Sequence, residues 1–195
     1  YISDAEYSIT NKNYYNLSSG EDYWSGFGSD FIVKFPEFEI IQPGETIHIS
    51  LSEEGIFEDY YGFAPELIMQ NDMMDALSGI SSLPSQSNIL GDSYEVLILF
   101  YWNGSAELVQ DVDYFYWGDP QGLPFYGIDK TGILTYKDDT SFDIQAQNIL
   151  DAHSSGYSFS RISDQEIGEL GPADGIIGNG ITLDDETSEV FNQSW

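Results

Sequence analysis

The chain has 195 residues, and 34 acidic side chains against 5 basic ones give a formal net charge of −29 at pH 7. That charge repels phosphate backbones and anionic lipid, so nucleic acid is excluded as a partner, while cations, neutral polymers such as glycans and copies of the chain are not. Zero Cys excludes disulfides, thiolate chemistry and zinc–thiolate sites, and the longest apolar run, Val96 to Trp102, is far short of the roughly 20 residues that span a bilayer.

In chain order, the first strand signal is the alternation of Phe31, Val33 and Phe35 ahead of Pro36. A Pro43-Gly44 turn leads to a second alternation, with Ile47, Ile49 and Leu51 against Thr46, His48 and Ser50. The long connection from Glu53 to Asp92 contains a predicted short helix over Pro65 to Leu77, closed by Gly79. Glu95 to Trp102 (EVLILFYW) is a continuous apolar run, which predicts a central strand covered on both faces. Asn103-Gly104 follows it, the dipeptide favoured in type I′ hairpin turns. The return strand is predicted over Ala106 to Trp117, with Leu108, Gln110, Val112, Tyr114 and Tyr116 on one face. A second helix is predicted over Ser141 to His153 from the spacing of Phe142, Ala146, Ile149 and Leu150, with Gly156 after its end. Beyond it, Gly171-Pro172, Asp174-Gly175 and Gly178-Asn179-Gly180 mark turns in an irregular acidic segment.

An apolar fraction of 41%, with 14 Tyr, 12 Phe and 4 Trp, suffices for a buried core. A Cys-free, acidic, Tyr- and Asn-rich β protein fits a bacterial exterior better than a eukaryotic secretory route or a halophilic cytoplasm. Tyr1 reads as the start of a processed or partial chain, since neither an initiator Met nor a leader-like apolar stretch opens the sequence.

The run Ser29-Asp30-Phe31-Ile32-Val33-Lys34-Phe35-Pro36, followed by Ile41-Gln42-Pro43-Gly44-Glu45-Thr46, resembles a passage of lamin tail domains. Leu90-Gly91-Asp92, leading into EVLILFYWNG and then Val112-Asp113-Tyr114, is similar to the hairpin of that family, and Gly156-Tyr157-Ser158-Phe159-Ser160-Arg161 to a strand near its end. The resemblance covers about residues 1–161 and leaves 162–195 as a Gly/Asp-rich extension packing on the same domain. It implies an immunoglobulin-like β-sandwich in a secreted or surface protein, with a non-catalytic binding or structural role and no catalytic residues. Tyr1-Ile2-Ser3-Asp4 aligns just after the two strands that open the family. Either preceding residues lie outside this sequence, or the sandwich lacks its first strands and has edges that a neighbouring copy could fill, head to tail, as a filament.

His48 and His153 are the only side chains that titrate near neutrality without help. His48 falls on the polar face of a strand, and His153 at a helix end where its charge suits the dipole. No nucleophile-elbow serine lies near either. Asp111 with Asp113 reads as part of a solvated acidic face, because among so many acids some pair meets glycosidase spacing by chance. Calcium takes about six to eight oxygens, which loops of Asp, Asn, Gly and backbone carbonyls supply. Its candidate ligands are Asp174, Asn179, Asp184, Asp185 and Glu186, whose spacing is not that of an EF-hand. The candidate interface is Tyr14, Tyr15, Tyr23, Trp24 and Phe27; Tyr60-Tyr61 is a further aromatic group, and Tyr114 and Tyr116 are assigned to the core.

The sequence thus predicts a mostly β chain: an immunoglobulin-like β-sandwich with one or two short helices and an irregular acidic C-terminal segment. The leading functional expectation is a non-catalytic extracellular or cell-surface structural protein, a filament or surface-layer subunit that self-associates through β-strand edge or donor-strand contacts. The alternative is a Ca2+-dependent glycan- or protein-binding module of a larger secreted or surface protein. No cofactor is certain from the residues, and Ca2+ is the candidate.

Overall fold

The computed structural model describes residues 1–4, 13–19, 31–37, 40–52, 54–76, 90–118, 127–133, 135–163 and 165–195. In chain order the elements are β1 (Ile2–Ser3), a 3-10 turn (Tyr14–Ser19), β2 (Ile32–Lys34), β3 (Ile49–Ser50), α1 (Glu54–Tyr61), β4 (Leu67–Ile68), α2 (Met69–Asp72) and β5 (Met74–Asp75). The long strands β6 (Tyr94–Tyr101) and β7 (Gln110–Gly118) follow. Helix α3 (Phe142–Asn148), two 3-10 turns (Pro172–Asp174 and Glu186–Ser188) and α4 (Phe191–Ser194) complete the chain.

One five-stranded sheet in the order β5-β2-β1-β6-β7 organises the molecule, with every neighbouring pair antiparallel. Strand β1 sits inside it, Ile2 opposite Val33 on one side and Leu99 on the other. Among the described residues the second sheet consists only of β3 and β4, paired in parallel. Among the described residues the architecture is therefore β-rich, with one five-stranded antiparallel sheet, a small parallel pair and a few short helices.

The period of two along the strands divides the apolar residues between the sheet faces. Ile32, Val96, Ile98, Phe100, Tyr114 and Tyr116 face a large core that also holds Tyr14, Tyr15, Leu17, Ile128, Tyr136 and Phe191. Phe31 and Val33 point the other way, to a smaller cluster with Met69 and Met73 that Leu97 also packs against. The apolar run of β6 is thus an interior strand contacting apolar layers on both sides, as its composition requires.

Several local expectations give way to longer-range contacts. Asn103-Gly104 does not make a two-residue turn. Asn103 Oδ1 instead accepts from the backbone N–H groups of Ser105 (2.9 Å) and Ala106 (2.7 Å), and the return strand starts only at Gln110. A bulge between Leu99 and Phe100 moves the facing residue from Asp113 to Asp111, leaving Val112 as the extra residue. That reverses the parity of β7, so Asp111 is buried with Tyr114 and Tyr116, while Gln110 is exposed and Asp113 half-buried. Asp111 is accordingly not part of a solvated acidic face.

Of the helix predicted over Pro65 to Leu77, the described residues 65–76 hold a single turn, α2, between two short strands, while Leu77 and the closing Gly79 lie outside the described residues. Leu67 and Ile68 are drawn into pairing with β3, and Asp72 Oδ2 accepts from the Ile68 N–H at 2.6 Å. Helix α3 ends at Asn148, because Leu150 bridges to Trp117 and takes its backbone into the extended form. Gly156 belongs to a separate turn, in which Tyr157 N–H donates to Ser154 O at 3.1 Å. Leu150 and Gly180 both bridge to β7, at Trp117 and Asp111, covering the outer edge of the sheet near both ends of the strand. Among the described residues, no helix is long and apolar enough to cross a membrane.

Candidate cation centre and a buried lysine

The C-terminal segment folds back on itself through short backbone links. Asp185 N–H donates to Leu170 O (2.8 Å), Val190 N–H to Ile167 O (2.8 Å) and Gly180 N–H to Asp184 O (2.9 Å). Gly178 and Gly180 permit this closeness. A Cβ on Gly178 would lie 2.1 Å from Asp184 O, and one on Gly180 would lie 2.7 Å from Asp184 Oδ1 and 2.9 Å from Glu186 Oε1. The result draws carboxylates together from distant positions. Glu169, Asp184 and Glu186 each place an oxygen within 4.8 Å of the others, and so do Asp113, Glu166 and Glu186.

The two groups differ in compensation. Arg161 reaches Asp113 (3.5 Å), Glu166 (3.3 Å) and Glu189 (3.5 Å) while lying over the Trp195 ring. No basic side chain among the described residues forms an ion pair with Glu169, Asp184 or Glu186. Glu186 is only 8% exposed, and beside it Glu169 Oε1 is buried with no hydrogen-bond partner among the described residues. Burial first, then repulsion from Glu169, Glu166 and Asp184, pushes the Glu186 carboxyl up to about 9. Burial and the neighbouring Glu166 push Glu169 to about 8. Glu189 is pushed to about 7 by burial, although Ser194 and Arg161 oppose the rise. A cation among Glu169, Asp184 and Glu186 would supply the countercharge they lack, and their hard oxygens suit Ca2+.

Of the five ligand candidates in the sequence, Asp184 and Glu186 belong to this group. The other three are engaged elsewhere. Asp174 accepts from Gly171 N–H (3.3 Å) within its own turn. Asn179 clamps Lys137, accepting from its N–H (2.9 Å) and donating to its carbonyl (2.8 Å). Asp185 accepts from Thr187 N–H and from the hydroxyls of Thr187 and Thr140. Glu169 escaped sequence reasoning because it lies ahead of the turn-rich stretch from Asp174 to Glu186 that supplied the candidates; its one local signal is Gly168, at φ +81°, just before it.

Lys130 is completely buried, with its Nζ close to the Tyr14 and Tyr136 rings of the larger core. Its Nζ lies 2.7 Å from Asp111 Oδ2, 3.0 Å from Asp139 Oδ2 and 3.0 Å from the Tyr14 hydroxyl. Tyr14 donates to Asp111 Oδ1 at 2.7 Å, and Asn179 Nδ2 to Asp139 Oδ1 at 2.7 Å. Burial alone would lower the Lys130 pKa, but Asp111 and Asp139 more than offset it and raise it. Burial raises the Asp139 carboxyl despite Lys130 beside it, and raises the Tyr14 hydroxyl further, with Asp111 and Asp139 adding to the effect.

Tyr14 and Tyr15, assigned to an interface from sequence, are therefore core residues, 1% and 6% exposed. Each anchors a polar contact: Tyr14 as above, and Tyr15 O by accepting from the Tyr136 hydroxyl at 2.9 Å. Tyr23, Trp24 and Phe27 lie outside the described residues. Among the described residues an exposed aromatic group lies at and just beyond α1, where Tyr60 is 71%, Tyr61 58% and Phe63 42% exposed. Phe57 ties Tyr61 and Phe63 together with ring centroids at 4.5 and 5.6 Å, and His48 stacks edgewise on Phe63 at 4.8 Å. His48 also holds Glu66 at 2.8 Å. His153 lies beyond the end of α3, bound to Tyr157 O (2.8 Å) and Asp92 (3.0 Å), in that order the causes that raise its pKa.

No family model matches the chain, and no curated protein or solved structure is detectably similar to it.

Proposed function

We propose that this chain is a non-catalytic, calcium-binding structural protein of the cell exterior that associates with copies of itself. The observation that carries the reading is the group Glu169, Asp184 and Glu186, in which Glu169 Oε1 is buried with no hydrogen-bond partner among the described residues and Glu186 is 8% exposed. A buried carboxylate facing others of its sign is costly unless a proton or a cation neutralises it. At a net charge of −29, copies of the chain also repel one another, so bound cations favour both the fold and its assembly. The aromatic shelf of Phe57, Tyr60, Tyr61 and Phe63 is the contact surface in this reading; Glu58, Asp59 and Glu66 around it make the contact cation-dependent. The paired strands β6 and β7, beside β1 and β2, are compatible with an immunoglobulin-like sandwich of the lamin-tail kind, and that finer assignment is part of the proposal.

The test is thermal unfolding and sedimentation of the whole chain in Ca2+ or in EDTA, with Mg2+ as the control. Wild type gains stability with rising free Ca2+, as any ligand selective for the folded state requires, and forms larger species. Glu186→Gln is more stable than wild type in EDTA and responds little to Ca2+. A wild-type melting curve unmoved by millimolar-range Ca2+ would sink the cation reading, and a chain monomeric in both buffers would sink self-association.

A further inference from the structure

Lys130 is one of 5 basic residues in the sequence, and it is fully buried against two carboxylates. From the arrangement around it we infer that Lys130 Nζ and Asp111 Cγ condense into an intramolecular amide, with Asp139 as proton relay and Tyr14 as oxyanion donor.

The roles follow from the contacts. Asp111 Oδ2 is the carboxylate oxygen closest to Nζ, at 2.7 Å, which brings the amine beside Cγ. Its other oxygen, Oδ1, accepts from the Tyr14 hydroxyl at 2.7 Å, where charge would gather on addition of the amine. Asp139 is the less suitable acyl partner because both its oxygens are held: Oδ2 by the Lys130 backbone N–H (2.8 Å) and Oδ1 by Asn179 Nδ2 (2.7 Å). Its Oδ2 remains 3.0 Å from Nζ, within reach of proton transfer. Burial that raises the Asp139 carboxyl assists it in taking that proton. The Tyr14 and Tyr136 rings lie 5.6 and 5.9 Å from Nζ and help exclude the water that would otherwise stabilise the separated ions.

The step balances within the cluster. Lys130, as the ammonium, gives one proton to the Asp139 carboxylate. The neutral amine adds to Asp111 Cγ, and Asp139 passes the proton to Oδ2. A second proton moves from nitrogen to Oδ2 by the same route, the Cγ–Oδ2 bond breaks, and water departs. One ammonium and one carboxylate become one amide and one water; Asp139 ends as it began, and nothing is oxidised or reduced. The product ties β7 covalently to the segment carrying Lys130.

Intact mass spectrometry of the denatured full-length chain decides the matter. The expected mass is one water below that of the sequence, with proteolysis yielding a branched peptide joining Lys130 to Asp111. Lys130→Arg and Asp139→Asn should both return to their full sequence masses, with circular dichroism confirming that Asp139→Asn remains folded. Wild type at its full sequence mass overturns the proposal, as does a water deficit that maps anywhere other than Lys130–Asp111. A cross-link that persists in folded Asp139→Asn overturns the relay role.

Discussion

Tyr136 illustrates how much of the core depends on single polar atoms. Its hydroxyl accepts from Val109 N–H at 3.0 Å and donates to Tyr15 O at 2.9 Å, joining the start of β7 to the Tyr14–Ser19 turn. Replacing Tyr136 by Phe keeps the ring and leaves a buried donor and a buried acceptor without partners. The expected loss is about 1–3 kcal/mol, measured as a lower urea midpoint with an unchanged m-value. The ion cluster at Lys130 obeys the same asymmetry more strongly. Two buried carboxylates left without their cation in Lys130→Met cost roughly 3–5 kcal/mol if the contact is ionic. None of these roles could be read from the residue types. Tyr14 and Asp111 are distant in sequence from Lys130 and Asp139, and each in isolation resembles an ordinary surface or strand residue. Only the parity change at Val112 turns Asp111 inward.

Among the elements, those whose signal is local and repeated were legible. The apolar run of β6 and the aromatic run of β7 specify buried strands because both sheet faces carry apolar layers. Short elements were not, since their ends are set by pairing elsewhere: α2 is cut to a turn by β3, and α3 by the bridge from Leu150 to Trp117. The cation group was half legible for a related reason. Asp184 and Glu186 share one loop, but Glu169 joins them only through the Leu170–Asp185 bridge. Two glycines separate local from tertiary constraint. Gly55 lies in α1 with no positive φ, and a methyl group added to it would meet nothing within 4 Å, so Gly55→Ala should stabilise by about 0.5–1 kcal/mol. At Gly178 the added methyl meets backbone atoms of Asp184 and Asp185, which cannot move aside cheaply. Gly178→Ala should therefore destabilise by about 1–3 kcal/mol and weaken the Ca2+ response, read from paired melting curves with and without the ion. At α1, Tyr60→Ser should leave stability within about 0.5 kcal/mol, because that side chain is mostly in water, while reducing the Ca2+-dependent large species in sedimentation.

For the molecule as a whole, the excess of acid makes stability a function of both protons and cations. Glu186, Glu169 and Glu189 have folded-state values pushed up to about 9, 8 and 7 from an ordinary 4.5. A carboxyl whose pKa is raised by folding binds its proton more tightly in the folded chain than in the unfolded one. Stability attributable to these groups is therefore greatest below the ordinary value and falls as pH rises through the window from 4.5 to about 9. In EDTA the melting temperature should decline across that window, and the decline should flatten in Glu186→Gln, which carries no proton to lose. With saturating Ca2+ the slope should be much shallower. The ion competes with protons for the same oxygens, binds more tightly as they ionise, and replaces the lost protons with its own charge. The stabilisation by Ca2+ should thus grow with pH, accompanied by proton release when the ion is added in weak buffer. A pH-independent increment would mean that Ca2+ acts by screening the surface charge at large, because screening of already ionised surface acids does not depend on the titration of these buried carboxyls.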